Sequence, residues 1–153
     1  MKHLLIVFHS QTGHTEQMAR AVVRGAADEA IDNVEVRLLG AFDAGAEDLL
    51  WADALILGTP ENFGYMSGGM KDFLDRTFYP CEGKLEGMPY AIFVSAGNDG
   101  TGAVNAIQRI ANGYAFRQVQ DPVIVKGELT DEDFQRCEEL GMAIAAGLEI
   151  GVL

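Results

Sequence analysis

Five short apolar runs alternate with amphipathic stretches along all 153 residues, and this alternation limits the fold more than any other feature. The runs are Leu4–Phe8, Val34–Leu39, Ala54–Leu57, Tyr90–Val94 and Val123–Val125. Leu4–Phe8 is short and continuously apolar, the pattern of a strand buried on both faces, and Val34–Leu39 reads as a second strand despite Glu35 and Arg37. Between the runs, apolar residues return at helical spacing. Met18, Ala21, Val22, Gly25 and Ala26 mark one such face, and Met70, Phe73, Leu74, Thr77 and Phe78 another. Ala46–Trp51 reads as a short helix, and Ala103–Asn112 as a longer one closed by a left-handed cap at Asn112-Gly113. Pro80 is expected to stop the helix before it. Thr130 caps the last helix, whose inner face carries Phe134, Cys137, Gly141, Ile144, Ala145 and Leu148. Alternating strands and helices predict an α/β fold: a doubly wound, five-stranded parallel sheet with helices on both faces. Length favours one domain over residues 1–153.

Composition removes several function classes. Hydrophobic residues make up 48% and charged residues 22%, a globular mix that rules out a disordered chain. No apolar run approaches the ~18–20 residues of a membrane span. Leu4–Phe8 is too short for a signal-peptide core, so a soluble, cytoplasmic protein is expected. The net charge of −12 argues against nucleic acid and anionic membrane surfaces as partners. Cys81 and Cys137 form no CxxC and no metal spacing. Cys137 falls on an apolar helix face, whereas Cys81 falls in a loop that solvent can reach.

Ligands on open parallel sheets bind at the carboxyl ends of the strands, which selects three loops. The first, Ser10-Gln11-Thr12-Gly13-His14-Thr15, joins a buried strand to a helix. Free N–H groups at a helix start, hydroxyls from Ser10, Thr12 and Thr15, and a flexible Gly13 together describe a phosphate cradle. No Lys or Arg lies between residues 3 and 19, so local N–H groups must hold the anion. GxxxxGK[ST] and GxGxxG are both absent, which counts against a nucleotide triphosphatase and a Rossmann dinucleotide site. The second loop, Gly58–Met70, sets Phe63 and Tyr65 among glycines, where either ring suits a flat heterocycle. The third, Ser95–Gly102, has N–H groups to line the other side of that heterocycle.

These loops resemble those of the flavodoxin-like FMN proteins. Ser10–Thr15 is similar to their [ST]-x-T-G-x-T phosphate loop, and Thr59-Pro60 through Arg76 to the strand-three loop and helix of NAD(P)H-dependent FMN and quinone reductases in that superfamily. The resemblance covers essentially the whole chain and implies the strand order 2-1-3-4-5. It implies that Ser10, Gln11, Thr12, Gly13, His14 and Thr15 hold the FMN phosphate. Pro60, Glu61, Asn62, Phe63 and Gly64 then border the isoalloxazine ring, and Ser95, Ala96, Gly97, Asn98 and Gly100 its pyrimidine edge. Two departures stand out. The third loop lacks the aromatic that electron-carrier flavodoxins stack there, and the long insertion of tetrameric quinone reductases is missing.

The flavin would carry the chemistry, and no catalytic side chain or metal set is expected. Glu61 or Asp99 beside the ring would disfavour an anionic reduced flavin by Coulomb repulsion and so lower its potential. Three functions follow from the resemblance. The first is an FMN redox protein exchanging electrons with a partner protein or small acceptor. The second is an NAD(P)H-dependent FMN/quinone oxidoreductase, and the third a cofactor-free interaction module of the same fold. The oligomeric state stays open.

Overall fold

The computed structural model describes residues 1–153. In chain order the elements are β1 (Lys2–Phe8), α1 (His14–Ala26), β2 (Val34–Gly40), α2 (Ala46–Trp51), β3 (Ala54–Asn62), β4 (Tyr65–Met66), α3 (Gly68–Cys81), β5 (Pro89–Ala96), α4 (Thr101–Tyr114), β6 (Arg117–Gln118), β7 (Val123–Lys126) and α5 (Asp131–Ile150). The main sheet is parallel and runs β2-β1-β3-β5, with β6 and β7 sharing the fifth position. This is the expected order 2-1-3-4-5 with its last strand broken. Pro89 and Tyr90 pair with β6, and Phe93 to Ala96 pair with β7. Between those pairings the edge strand uses more residues than its partner, and it contains Pro122, which has no N–H for the ladder.

The two-residue period of the strands sorts the core. Leu4 and Ile6 of β1, Ile56 of β3 and Phe93 of β5 face α1 and α5, against Met18, Val22, Cys137 and Ile144. Leu5, Val7, Leu55, Leu57, Ile92 and Val94 face α2, α3 and α4, against Leu49, Met70, Phe73 and Ile107. Leu4 to Val7 have no exposed surface, and each such side chain contributes about 1.5–3 kcal/mol of burial. The expected Thr130 cap of α5 is in place. Thr130 Oγ1 accepts the Asp133 N–H, and the Asp133 carboxylate accepts the Thr130 N–H in return.

Three local expectations fail. Pro80 does not lie past the end of α3 but in its last turn, so Cys81 is helical and buried rather than in an open loop. A proline there removes one N–H only where the helix is already ending. Burial pushes the Cys81 thiol above its ordinary pKa, and that of Cys137 up to about 12, so both act as small apolar side chains. Helix α4 does not stop at Asn112-Gly113. It runs to Tyr114 and takes its left-handed cap at Ala115, at φ 64°. Tyr114 is buried, bonds Thr77 Oγ1 at 2.8 Å and donates to the Leu74 carbonyl at 2.6 Å. That anchor draws the helix past its glycine. Third, β3 does not end at Leu57 but continues to Asn62, where it folds back on β4 as an antiparallel hairpin.

That hairpin turns on Phe63-Gly64, both at positive φ (53° and 69°). A two-residue turn of this kind favours Asn-Gly, and a bulky residue at its first position is strained. Phe63 is also fully exposed. Phe63→Asn is therefore expected to raise stability by about 1 kcal/mol, read as a higher urea midpoint at unchanged slope. No helix is long and apolar enough to cross a membrane.

Candidate functional site

Placing β1, β3 and β5 side by side brings their carboxyl ends together, and with them three loops that lie far apart in sequence. A cleft of about 310 Å³ opens there. Gln11, Thr12 and His14 line it from the first loop, Pro60, Glu61 and Asn62 from the second, and Ser95, Ala96 and Gly97 from the third. Gly127 and Glu128, just past β7, complete the lining. These two were missed from sequence. The rule that selected the other loops, position at the carboxyl end of a strand, applies to them equally. The lining contains two carboxylates and no Lys or Arg.

The first loop is shaped by its own polar atoms. Ser10 Oγ accepts the N–H groups of Gly13 at 3.2 Å and Glu16 at 3.3 Å, which curls the segment over the start of α1. Gly13 sits at φ 102°, a conformation that side chains rarely adopt. The backbone N–H groups of Gln11, Thr12, His14 and Thr15 have no acceptor within the chain. Unpaired donors gathered at a helix N-terminus, with the positive end of the helix dipole behind them, suit a phosphate. Ser10 accepts two bonds and keeps its own proton to donate. Thr15 Oγ1 lies 2.7 Å from Ser95 Oγ, and both residues are buried, so this pair ties the first loop to the third beneath the cleft. His14 stands at the edge, its Nε2 3.7 Å from the Glu128 carboxylate.

The second and third loops form the walls of a slot. Asn62 Nδ2 donates to Gln11 Oε1 at 2.6 Å, joining the hairpin to the first loop. The N–H groups of Gly97 and Asn98 have no acceptor within the chain, so this wall presents free donors. Those of Gly100, Gly102 and Ala103 are taken by Glu61. Phe63 and Gly64 form the hairpin tip beyond the cleft lining, and Phe63 points into solvent rather than onto the core. Asp99, like Glu61, is not a free anion beside the slot: its carboxylate accepts the Thr101 N–H and hydroxyl. Beneath the second loop, His9 Nδ1 meets Ser67 Oγ at 2.8 Å, and Ser67 Oγ also accepts the Met70 N–H at the start of α3. Burial lowers the His9 pKa below its ordinary value, so this imidazole is a neutral support. Trp51 is remote, stacked on His3 at 4.3 Å with the Arg37 guanidinium 3.8 Å from its ring centre.

The arrangement fits FMN. A row of unpaired N–H groups at one end suits a phosphate, and a slot with a second set of free donors stands at the other. Its lining suits a flat, hydrogen-bonding heterocycle.

Residues 1–127 match the family model described as NADPH-dependent FMN reductase. A flavodoxin from Aquifex aeolicus (strain VF5) is 32% identical over 168 aligned residues, covering 99% of this chain and 90% of that protein. An NAD(P)H dehydrogenase (quinone) from Acidithiobacillus ferrooxidans is 37% identical over 114 residues, 62% of this chain and 57% of its own length. Among solved structures, a flavodoxin from the domain Archaea superposes with a TM-score of 0.81 at 26% identity, over 95% of this chain and 98% of that one.

Proposed function

From the premise that this chain belongs to the NADPH-dependent FMN reductase family, we propose that its three-loop cleft holds FMN and that electrons pass there to or from a redox partner or a small acceptor. The protein is a flavodoxin-like, FMN-binding redox protein. The observation that carries the assignment to this cleft is the set of four unpaired N–H groups at Gln11, Thr12, His14 and Thr15. We assign the phosphate to Ser10–Thr15, the ring to Pro60–Gly64, and the pyrimidine edge to Ser95–Asn98 and Gly100. Residues 1–153 act as one unit in this reading.

When bound, the flavin supplies the redox chemistry. The chain's own part is binding and orientation. The amides of the first loop and the Ser10 hydroxyl hold the phosphate without a basic side chain. The Asn62–Gln11 bond keeps the ring wall in register with the phosphate seat. The third loop offers the N–H groups of Gly97 and Asn98 to the ring's polar edge, where they favour added negative charge.

A second reading has direct support. The third loop carries no aromatic, and Phe63 is turned to solvent, so one face of the slot stays open to a second flat heterocycle. This favours NAD(P)H as electron donor, with a quinone or similar acceptor. Adding NADH or NADPH to the FMN-loaded protein separates the two. Prompt bleaching of the yellow colour is expected if the chain is a reductase. A colour that persists until a partner reductase is supplied marks a carrier. A chain that stays colourless after FMN is added refutes the cofactor assignment.

A further inference from the structure

Glu61 lines the cleft, yet its carboxylate is spent on a neighbouring element. Its Oε1 accepts the Gly100 N–H at 2.9 Å, and its Oε2 accepts those of Gly102 at 3.0 Å and Ala103 at 3.3 Å. These are the otherwise unpaired donors at the start of α4, and bonds from N–H groups to a carboxylate are among the stronger kind. Capping alone does not call for a residue so distant in sequence. Asp99 already bonds the Thr101 N–H from within the same loop. Beside these bonds, the backbones of hairpin and helix touch. A Cβ on Gly102 would lie 2.1 Å from the Gly64 carbonyl oxygen. Past the sheet pairing of Thr59 with Val94 and Pro60 with Ser95, Glu61 supplies the hydrogen bonds that join the hairpin to the segment entering α4. One wall of the slot is that hairpin, and the other is the loop leading into that helix.

We propose that Glu61 is a positioning residue that latches the β3–β4 hairpin to the first turn of α4 and thereby sets the width of the ring slot. The proposal rests on the FMN-binding reading above and assigns Glu61 a role apart from direct flavin contact. Three physical consequences follow. Glutamine keeps one acceptor oxygen but turns an NH₂ toward N–H donors, so Glu61→Gln opens the latch at Gly102 and Ala103. Gly102→Ala leaves Glu61 in place and pushes the walls apart, because backbone atoms must move to admit the methyl group. Both act on the ring end, so they leave the phosphate seat alone.

The test compares wild type, Glu61→Gln and Gly102→Ala in three measurements. In the flavin-free chain, amide hydrogen exchange at Gly100, Gly102 and Ala103 is expected to quicken about tenfold or more in Glu61→Gln, since three protected donors lose a charged acceptor. In flavin titrations, both variants are expected to lose affinity for FMN and for riboflavin by the same factor, about tenfold or more, leaving their ratio unchanged. At saturating FMN the visible circular dichroism of the bound ring is expected to change in both, while far-ultraviolet dichroism does not. Unchanged exchange at the three amides overturns the latch. So does a loss confined to FMN with riboflavin unaffected, which places the effect at the phosphate. If wild type binds FMN and both variants bind it equally well, the latch fails and the cofactor reading stands. If wild type binds neither flavin, the cofactor reading fails and the ring slot fails with it.

Discussion

Thr12→Glu is expected to weaken FMN binding by about 100-fold while leaving riboflavin binding almost unchanged. Thr12 is exposed, lines the cleft and lies among the four unpaired N–H groups that open α1. A carboxylate there occupies the seat of the anion and repels it. At about 5 Å from a phosphate dianion, with an effective dielectric between protein and water, the repulsion costs about 3 kcal/mol. The site cannot offset this, because no Lys or Arg lines it. The same substitution is expected to stabilise the flavin-free protein by about 0.5 kcal/mol, since an acid at a helix N-terminus meets the favourable end of the dipole. Opposite signs in the two states make the result specific. Fluorescence titration with both flavins and a thermal melt of the flavin-free protein read it out. Equal losses for FMN and riboflavin would remove the phosphate from this loop.

Gly141→Val is expected to destabilise the fold by about 3 kcal/mol or more, lowering the melting temperature by about 10 °C. Helices α1 and α5 meet at backbone contact. A Cβ on Gly141 would lie 2.0 Å from the Val22 carbonyl oxygen, and one on Gly25 would lie 1.8 Å from that of Glu138. The obstacles are main-chain atoms, so no side chain can swing aside. Separating the helices also opens the packing of Met18 and Val22 against Cys137 and Ile144. Gly113 is the control. It lies in α4, is exposed, and has no atom within 4 Å of the place a methyl group would take. Gly113→Ala is expected to stabilise by about 0.5–1 kcal/mol through helix propensity alone. Denaturation of both variants beside wild type tests the contrast, and equal effects would mean that the helix crossing is not the cause.

The local pattern of this chain determined its secondary structure and its class of fold. Each of the runs Leu4–Phe8, Ala54–Leu57 and Tyr90–Val94 carries its own evidence of burial, and the helical stripes between them carry theirs, because periodicity and hydrophobicity are properties of a few neighbouring residues. The first loop was legible as a strand-to-helix turn for the same reason: Ser10 to Thr15 are contiguous, and such a turn brings its own N–H groups together. Tertiary structure alone decided the rest. The carboxylate of Glu61 finds its partners about 40 positions away, on a helix whose distance from the hairpin depends on how the sheet stacks β3 beside β5. Tyr114 overrides a glycine stop signal because its hydroxyl has a buried acceptor on α3. Gly127 and Glu128 join the cleft only once β7 pairs with β5. In each case the deciding energy is a contact between segments that diffuse independently in the unfolded chain, so no window of sequence, however read, contains it.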